Sequence, residues 1–139
     1  IMQISTLSNL KLDDSKEFEV LDPITGKRSQ SYNPKTKTYD ETPAFISIYY
    51  AGSKKIKKLQ LELQRKAIEA IKDKKEIPTE KEIEDLFLFE LVAGYRGFKD
   101  DKNKELEFNE TNTKLLLDIP YIRSLIEEVS ANMGNFSEK

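Results

Sequence analysis

The chain contains neither cysteine nor histidine, and the two absences exclude much of the chemistry that small proteins perform. Without cysteine there can be no disulfide, no thiolate nucleophile and no thiolate metal ligand. Without histidine, the commonest general base at neutral pH and the commonest metal ligand are both missing. The composition therefore favours a protein that is not an enzyme and that holds no metal and no cofactor.

Glycine is also scarce, with five residues in 139. None falls in the spacing of a dinucleotide-binding loop or a Walker loop, and no nucleophile elbow is present. The alternation of Asp101, Asn103 and Glu105 suggests a calcium loop. However, Leu106 occupies the position of the required glycine, and Asn112 that of the bidentate glutamate. We therefore reject a calcium site.

The charges are numerous but balanced. Charged residues make up 35% of the chain, and the formal net charge is only -2. A surface of mixed sign differs from the one-signed basic patch of a nucleic-acid binder. The longest apolar cluster, residues 86–93, is too short to cross a bilayer, and residues 1–10 lack the features of a signal peptide. We therefore expect neither a nucleic-acid nor a membrane partner.

The first third of the chain carries β-strand patterns. Residues 17–21 alternate polar and apolar side chains, and residues 22–27 form a Pro and Gly turn signal. Residues 44–50, AFISIYY, give the strongest strand signal. Apolar side chains on both of its faces indicate that both are covered, by the chain's own helices or by another subunit. The polar stretch 29–42 is expected to be a mobile loop or a long hairpin tip.

The rest of the chain carries helix patterns with recognisable starts. Ser53 is a predicted N-cap of a helix that runs to about Lys74. Thr79 begins a capping box with Glu82, and the apolar run after it predicts a helix to about Tyr95. Two further helices are predicted after residue 109 and from residue 120.

These patterns predict one domain, residues 1–139. Its β-rich part spans residues 1–50, with the mobile loop at 29–42, and its helical part spans residues 51–139. The expected fold class is α+β, mainly α, with an N-terminal β-hairpin or small antiparallel sheet followed by a bundle of about four helices.

The first long helix has a lysine-rich face between Lys54 and Lys72. Such a face is usually solvated, but it could also serve a nucleic-acid-binding regulator or contact an acidic partner. Glu62, Glu69 and Asp73 on the same helix or at its end reduce the positive electrostatic potential of this face. The sequence leaves these alternatives open.

Residues 89–136 carry a set of four short motifs. They are Gly94-Tyr95-Arg96-Gly97-Phe98, Phe108-Asn109-Glu110-Thr111-Asn112, Tyr121-Ile122-Arg123 and Asn135-Phe136. The set resembles the tail assembly chaperones of long-tailed bacteriophages and prophages. The position that is often Trp in that family is Tyr95 here. The resemblance extends to the front of the chain, where the strand and turn signals precede a lysine-rich helix.

The resemblance implies a non-catalytic chaperone of the host bacterial cytoplasm that is absent from the mature virion. It would bind the tape-measure protein and help to recruit tail-tube subunits, and it would form homo-oligomers. Self-association is expected through the strand at 45–50 or the helix at 86–92. An alternative is a structural tail-completion or connector protein of the virion.

The candidate partner-binding residues are apolar and aromatic side chains near the ends of the predicted elements. Four of them, Tyr95, Phe98, Tyr121 and Phe136, fall at helix ends and are interpreted as core contacts rather than as stacking platforms for nucleic-acid bases. The full set is Phe45, Tyr49, Leu86, Phe89, Tyr95, Phe98, Tyr121 and Phe136.

Overall fold

The computed structural model describes residues 3–8, 12–102 and 104–137. These residues form five strands and five α-helices in an α+β arrangement. The strands are β1 (Ser15–Val20), β2 (Gln30–Asn33), β3 (Thr38–Glu41), β4 (Ala44–Tyr49) and β5 (Val92–Arg96). The helices are α1 (Ile4–Ser8), α2 (Lys54–Lys72), α3 (Glu80–Leu91), α4 (Glu110–Leu117) and α5 (Pro120–Ala131). A 3₁₀ helix, Met133–Phe136, follows α5.

The main sheet has the strand order β1-β4-β5, and both of its pairings are antiparallel. Phe18 of β1 lies opposite Ile46 of β4, and Tyr95 of β5 lies on the other side of Ile46. Ile46 and Ile48 are completely buried. The strands predicted at 17–21 and 44–50 are therefore confirmed, to within a few residues at their ends.

The predicted mainly α fold with a bundle of about four helices is wrong. The described residues are 45% helix and 24% strand, and their strands form two antiparallel sheets. Helix α3 was expected to reach about Tyr95, but it ends at Leu91, and Val92–Arg96 becomes strand β5. The reason is that the backbone of this segment pairs with β4, from Ile48 to Phe45. A helical segment could not form these hydrogen bonds between strands.

The helices cover one face of the sheet instead of packing only on one another. Helix α5 packs against β4, α3 contacts β5, and α4 packs against both α3 and α5, while α2 packs on α3. The core between sheet and helices is apolar, as an α+β fold requires. Its buried side chains are Val20, Ala44, Ile46, Ile48, Ile56, Leu88, Leu91, Val92, Leu116, Leu117, Ile122 and Ile126.

The polar stretch 29–42 forms a second, two-stranded sheet. Strands β2 and β3 pair in antiparallel register, and the rings of Tyr32 and Tyr39 face each other with centroids 5.3 Å apart. The turn predicted at 22–27 is present. There the backbone N–H of Gly26 donates to the carbonyl of Asp22 at 2.8 Å, and φ of Gly26 is +68°.

The predicted helix starts are confirmed by their caps. The side-chain oxygens of Ser53, Thr79 and Asn109 each accept a backbone N–H of the following turn. Pro120 occupies the first turn of α5. In the loop between residues 98 and 108, Lys99 and Glu105 form an isolated bridge, and Asn103, part of the rejected calcium motif, lies outside the described residues.

Candidate partner-binding groove

Helices α3, α4 and α5 border an open groove of about 700 Å³. The groove exists because α3 and α5 both pack on the sheet, and the short helix α4 lies against each of them. We call it the α3–α5 groove. Its lining residues are Glu82, Asp85, Leu86, Phe89, Glu90, Glu110, Lys114, Leu117, Asp118 and Arg123.

The floor of the groove is apolar. Leu86 and Phe89 lie three residues apart on α3 and therefore share one side of the helix, and Leu117 approaches from the end of α4. Leu86 is 51% exposed although it lies in an apolar helix. The floor thus offers apolar surface that the described part of the chain leaves uncovered.

The rim of the groove is charged and mostly acidic. On one side Arg123 donates to the carboxylate of Asp85, and Lys114 pairs with Glu110 at 2.9 Å. Among the described residues, the other rim carboxylates form no salt bridge with the chain. These carboxylates belong to Glu82, Glu90 and Asp118.

Arg123 joins the helices at one end of the groove. Besides Asp85 it lies within 3.9 Å of both Glu84 of α3 and Glu127 of α5. The hydrogen bond to Asp85, followed by the attraction of the neighbouring carboxylates, raises the pKa of Arg123. The guanidinium therefore remains charged and ties α5 to α3 beside the apolar floor.

Phe45 and Tyr49 lie on one face of β4, and neither lines the α3–α5 groove. Both side chains are half-buried, and Tyr49 borders a small opening together with Lys55 of α2 and with Phe89 and Glu90 of α3. The guanidinium of Arg96 lies 4.1 Å from the ring centroid of Phe45, and Nζ of Lys55 lies 4.0 Å from that of Tyr49. Each ring therefore carries a cation over it.

Tyr95 and Phe98 form an aromatic cluster with Phe108, with ring centroids 6.1 Å and 5.3 Å from that of Tyr95. The hydroxyl of Tyr95 donates to the carbonyl of Glu107 at 3.1 Å, so the cluster holds the loop after β5 against the strand.

Tyr121 and Phe136, the other two aromatic candidates, are used within the chain. Tyr121 and Phe98 line a second cleft of about 450 Å³, where the Tyr121 hydroxyl donates to the carbonyl of Leu21 at 2.9 Å. Phe136 is 0% exposed and touches Phe18 and Tyr50. Its ring is therefore a core contact that no partner reaches in this structure.

Within the described residues, no group of three or more acidic side chains is arranged to hold a metal ion. Asp100, in the loop with the calcium-like spacing, accepts from the backbone N–H groups of Lys102 and Lys104 and so closes the loop itself. None of the described helices has the length and apolarity needed to cross a membrane.

Sequence reasoning named Leu86 and Phe89 but missed the charged rim. Glu82 was interpreted only as part of a capping box. Arg123 was named only as part of the motif Tyr121-Ile122-Arg123, with no binding role. Each of these residues is an ordinary surface residue along its own helix, and only the approach of three helices brings them together. No local signal could have identified the rim.

The comparisons with known proteins leave the family open. Comparison with protein-family models, with curated proteins and with solved structures found no match to this chain. The likeness to tail assembly chaperones therefore depends on the short motifs, and it stays a prediction.

Proposed function

We propose that this chain is a non-catalytic assembly chaperone of a phage or prophage tail. In this role it binds the tape-measure protein and helps to recruit tail-tube subunits in the host cytoplasm, and it is left out of the virion. The observation that carries the proposal is the α3–α5 groove, an uncovered apolar floor between charged helices. The motif resemblance supplies the biological setting.

The groove suits a helical partner. An amphipathic helix docks by laying its apolar face into a hydrophobic groove, with anchors at three- and four-residue spacing. Leu86 and Phe89 supply matching contacts on the floor. The tape measure is expected to be long, helical and apolar on one side, so that it needs a temporary cover before the tube polymerises. The groove would cover one segment of it.

Binding to a tape-measure fragment tests the proposal. The tagged chain is co-expressed with fragments of the tape-measure protein encoded near it, and complexes are captured and quantified by calorimetry. Leu86→Asp should abolish capture, because it places a charge on the apolar floor. Leu115→Asp is the matched control, since Leu115 is an exposed leucine of α4 that does not line the groove.

Failure of every fragment and of the tube protein to bind the wild-type chain would overturn the proposal. Equal loss of binding in Leu86→Asp and Leu115→Asp would remove the groove from it. Mass spectrometry of purified particles separates the chaperone from a tail-completion or connector protein, because only the latter stays in the virion.

A further inference from the structure

The charged side chains that line the α3–α5 groove divide into paired and unpaired ones. Both cations of the lining are engaged within the chain, Lys114 with Glu110 and Arg123 with Asp85. Three carboxylates remain, and none of them forms a salt bridge among the described residues. They belong to Glu82, Glu90 and Asp118. The groove therefore carries negative charge that the described part of the chain does not neutralise.

Two of the unpaired carboxylates flank the apolar floor along α3. Glu82 lies one turn before Leu86, and Glu90 lies one turn after it. On a helical projection these three residues and Phe89 fall within an arc of about 100°, so they share one side of the helix. The two glutamates are eight residues apart, which corresponds to about 12 Å along the helix axis. This side of the groove thus has the order carboxylate, apolar group, carboxylate.

Asp118 adds a third carboxylate, from the end of α4. It follows Leu117, whose side chain belongs to the floor. The side chains that carry the three carboxylates are all exposed, so each can be reached from solvent. Because both cations of the lining are already paired, a ligand that enters the groove meets an apolar floor and a rim of net negative charge.

These features define the kind of helix that fits the groove. An amphipathic helix docks through apolar anchors spaced three or four residues apart. Lys or Arg side chains on both sides of those anchors, seven or eight positions apart, match the spacing of the two glutamates on α3. An acidic helix with the same anchors would bring carboxylates against carboxylates, and like charges brought together at an interface suppress the wrong partner.

We propose that the α3–α5 groove selects a basic amphipathic helix, in which Lys or Arg flanks the apolar anchors on both sides. The inference deepens the proposed function and rests on it, because it states which segments of a tape-measure protein the chain takes. Leu86 and Phe89 supply the apolar contact, and the carboxylates supply the selectivity. Exposed charges are screened by salt, so the selectivity depends on ionic strength.

Two synthetic peptides of about 18 residues, long enough to form a helix, test the selectivity. They share one apolar face, and one carries Lys where the other carries Glu at the flanking positions. Binding of each to the full chain is measured by fluorescence anisotropy at low and at high salt. The wild type should bind the Lys peptide at least about tenfold more tightly at low salt, since three charge pairs contribute. The difference should shrink as salt rises.

Charge reversal on the rim gives the decisive comparison. The double variant Glu82→Lys with Glu90→Lys should prefer the Glu peptide, and Leu86→Asp should lose the Lys peptide. Glu76→Lys with Glu128→Lys is the matched control, because it changes the net charge equally at exposed residues that do not line the groove. The control should keep the preference of the wild type. Circular dichroism and thermal unfolding establish first that each variant folds.

Several outcomes would overturn the inference. They are a Lys peptide that does not bind the wild type, equal binding of the two peptides, and a rim variant that keeps the preference of the wild type. Reversal of the preference in the control variant would overturn it too, because the net charge alone would then explain the selectivity. The same holds if a second copy of the chain occupies the groove so firmly that the Lys peptide does not displace it.

Tape-measure fragments separate this inference from the proposed function. A fragment that the wild type captures should bind the Glu82→Lys and Glu90→Lys double variant at least about tenfold more weakly. Equal binding overturns the inference and leaves the proposed function standing. If the Lys peptide binds with the expected charge reversal while no tail protein binds, the preference of the groove for basic helices is supported and the proposed function is overturned.

Discussion

The guanidinium of Arg96 on β5 reaches across the central strand to the carboxylate of Glu17 on β1. The Nε and Nη2 atoms of Arg96 donate to the two Glu17 oxygens at 2.9 Å and 2.7 Å. On the way the guanidinium covers the ring of Phe45 on β4. One side chain therefore links both outer strands of the main sheet, on the face of β4 that carries Phe45.

This ion pair predicts how acid affects stability. The hydrogen bond from Arg96 lowers the pKa of Glu17 below its ordinary value of 4.5. A carboxyl with a depressed native pKa stabilises the fold fully above its unfolded pKa, and this contribution disappears as pH falls through the native value. We expect Glu17→Gln to lower Tm slightly near neutral pH, and the difference from wild type to shrink as pH falls below the ordinary value of 4.5 and to vanish once pH lies below the native pKa.

Thermal unfolding of both proteins across that pH range checks the expectation. Glu128→Gln is the control, since Glu128 is exposed and has no salt bridge among the described residues. A Tm difference between wild type and Glu17→Gln that grows as pH falls would contradict the assignment.

Phe136 should be among the most costly core residues to truncate. It is completely buried, and its ring centroid lies 5.6 Å from that of Phe18 and 5.2 Å from that of Tyr50. Phe136→Ala should lower the free energy of unfolding by about 3–5 kcal/mol, measured by urea denaturation. The half-exposed Phe108 is the control, and Phe108→Ala should cost no more than about 1.5 kcal/mol. Equal losses would argue against the burial of Phe136.

Gly97 should not tolerate a side chain. Its φ is +84°, and a Cβ there would lie 2.2 Å from the carbonyl oxygen of Pro43. Gly97→Ala should destabilise by about 2–4 kcal/mol, since the left-handed backbone and the overlap each contribute.

Gly94 supplies the matched comparison for Gly97, because a Cβ there meets nothing within 4 Å. Gly94→Ala should leave stability unchanged or raise it by about 0.5 kcal/mol, since glycine weakens a strand interior. Urea denaturation of both variants measures the contrast. If the two substitutions have the same effect, the backbone assignment around β5 is wrong.

The cap of α4 gives a further prediction. The side-chain oxygen of Asn109 accepts from the N–H of Asn112 at 2.8 Å. Asn109→Ala should therefore cost about 1 kcal/mol, whereas Asn109→Asp should keep the cap and most of the stability. Thermal unfolding compares the two variants, and an equal loss in both would show that the cap contributes little.

Local chemistry explains which elements the sequence could predict. Ser53, Thr79 and Asn109 begin their helices because a hydroxyl or amide oxygen can satisfy an N–H of the next turn. The strand at Ala44–Tyr49 follows from β-branched and aromatic side chains that alternate in burial. Neither feature needs information from distant residues.

Strand β5 shows where local reasoning stops. The apolar cluster from Leu86 to Val92, interrupted only by Glu90, continues into Ala93, and apolar periodicity cannot separate a buried helix from a buried strand. The choice at Val92 depends on hydrogen bonds to β4, more than forty residues earlier in the chain. The sequence pattern therefore predicts one helix across residues 91 and 92, although α3 ends at Leu91 and pairing with β4 makes Val92 the start of a strand.

The sequence by itself determined the helix starts, the two principal strands and the apolar character of Leu86 and Phe89, because these depend on neighbours within a few residues. Only the tertiary structure decided that Val92–Arg96 joins the sheet and that the helices cover one of its faces. It also decided that three helices place carboxylates around an apolar floor. These features depend on contacts between segments that are far apart in the sequence, and local sequence patterns do not predict such contacts.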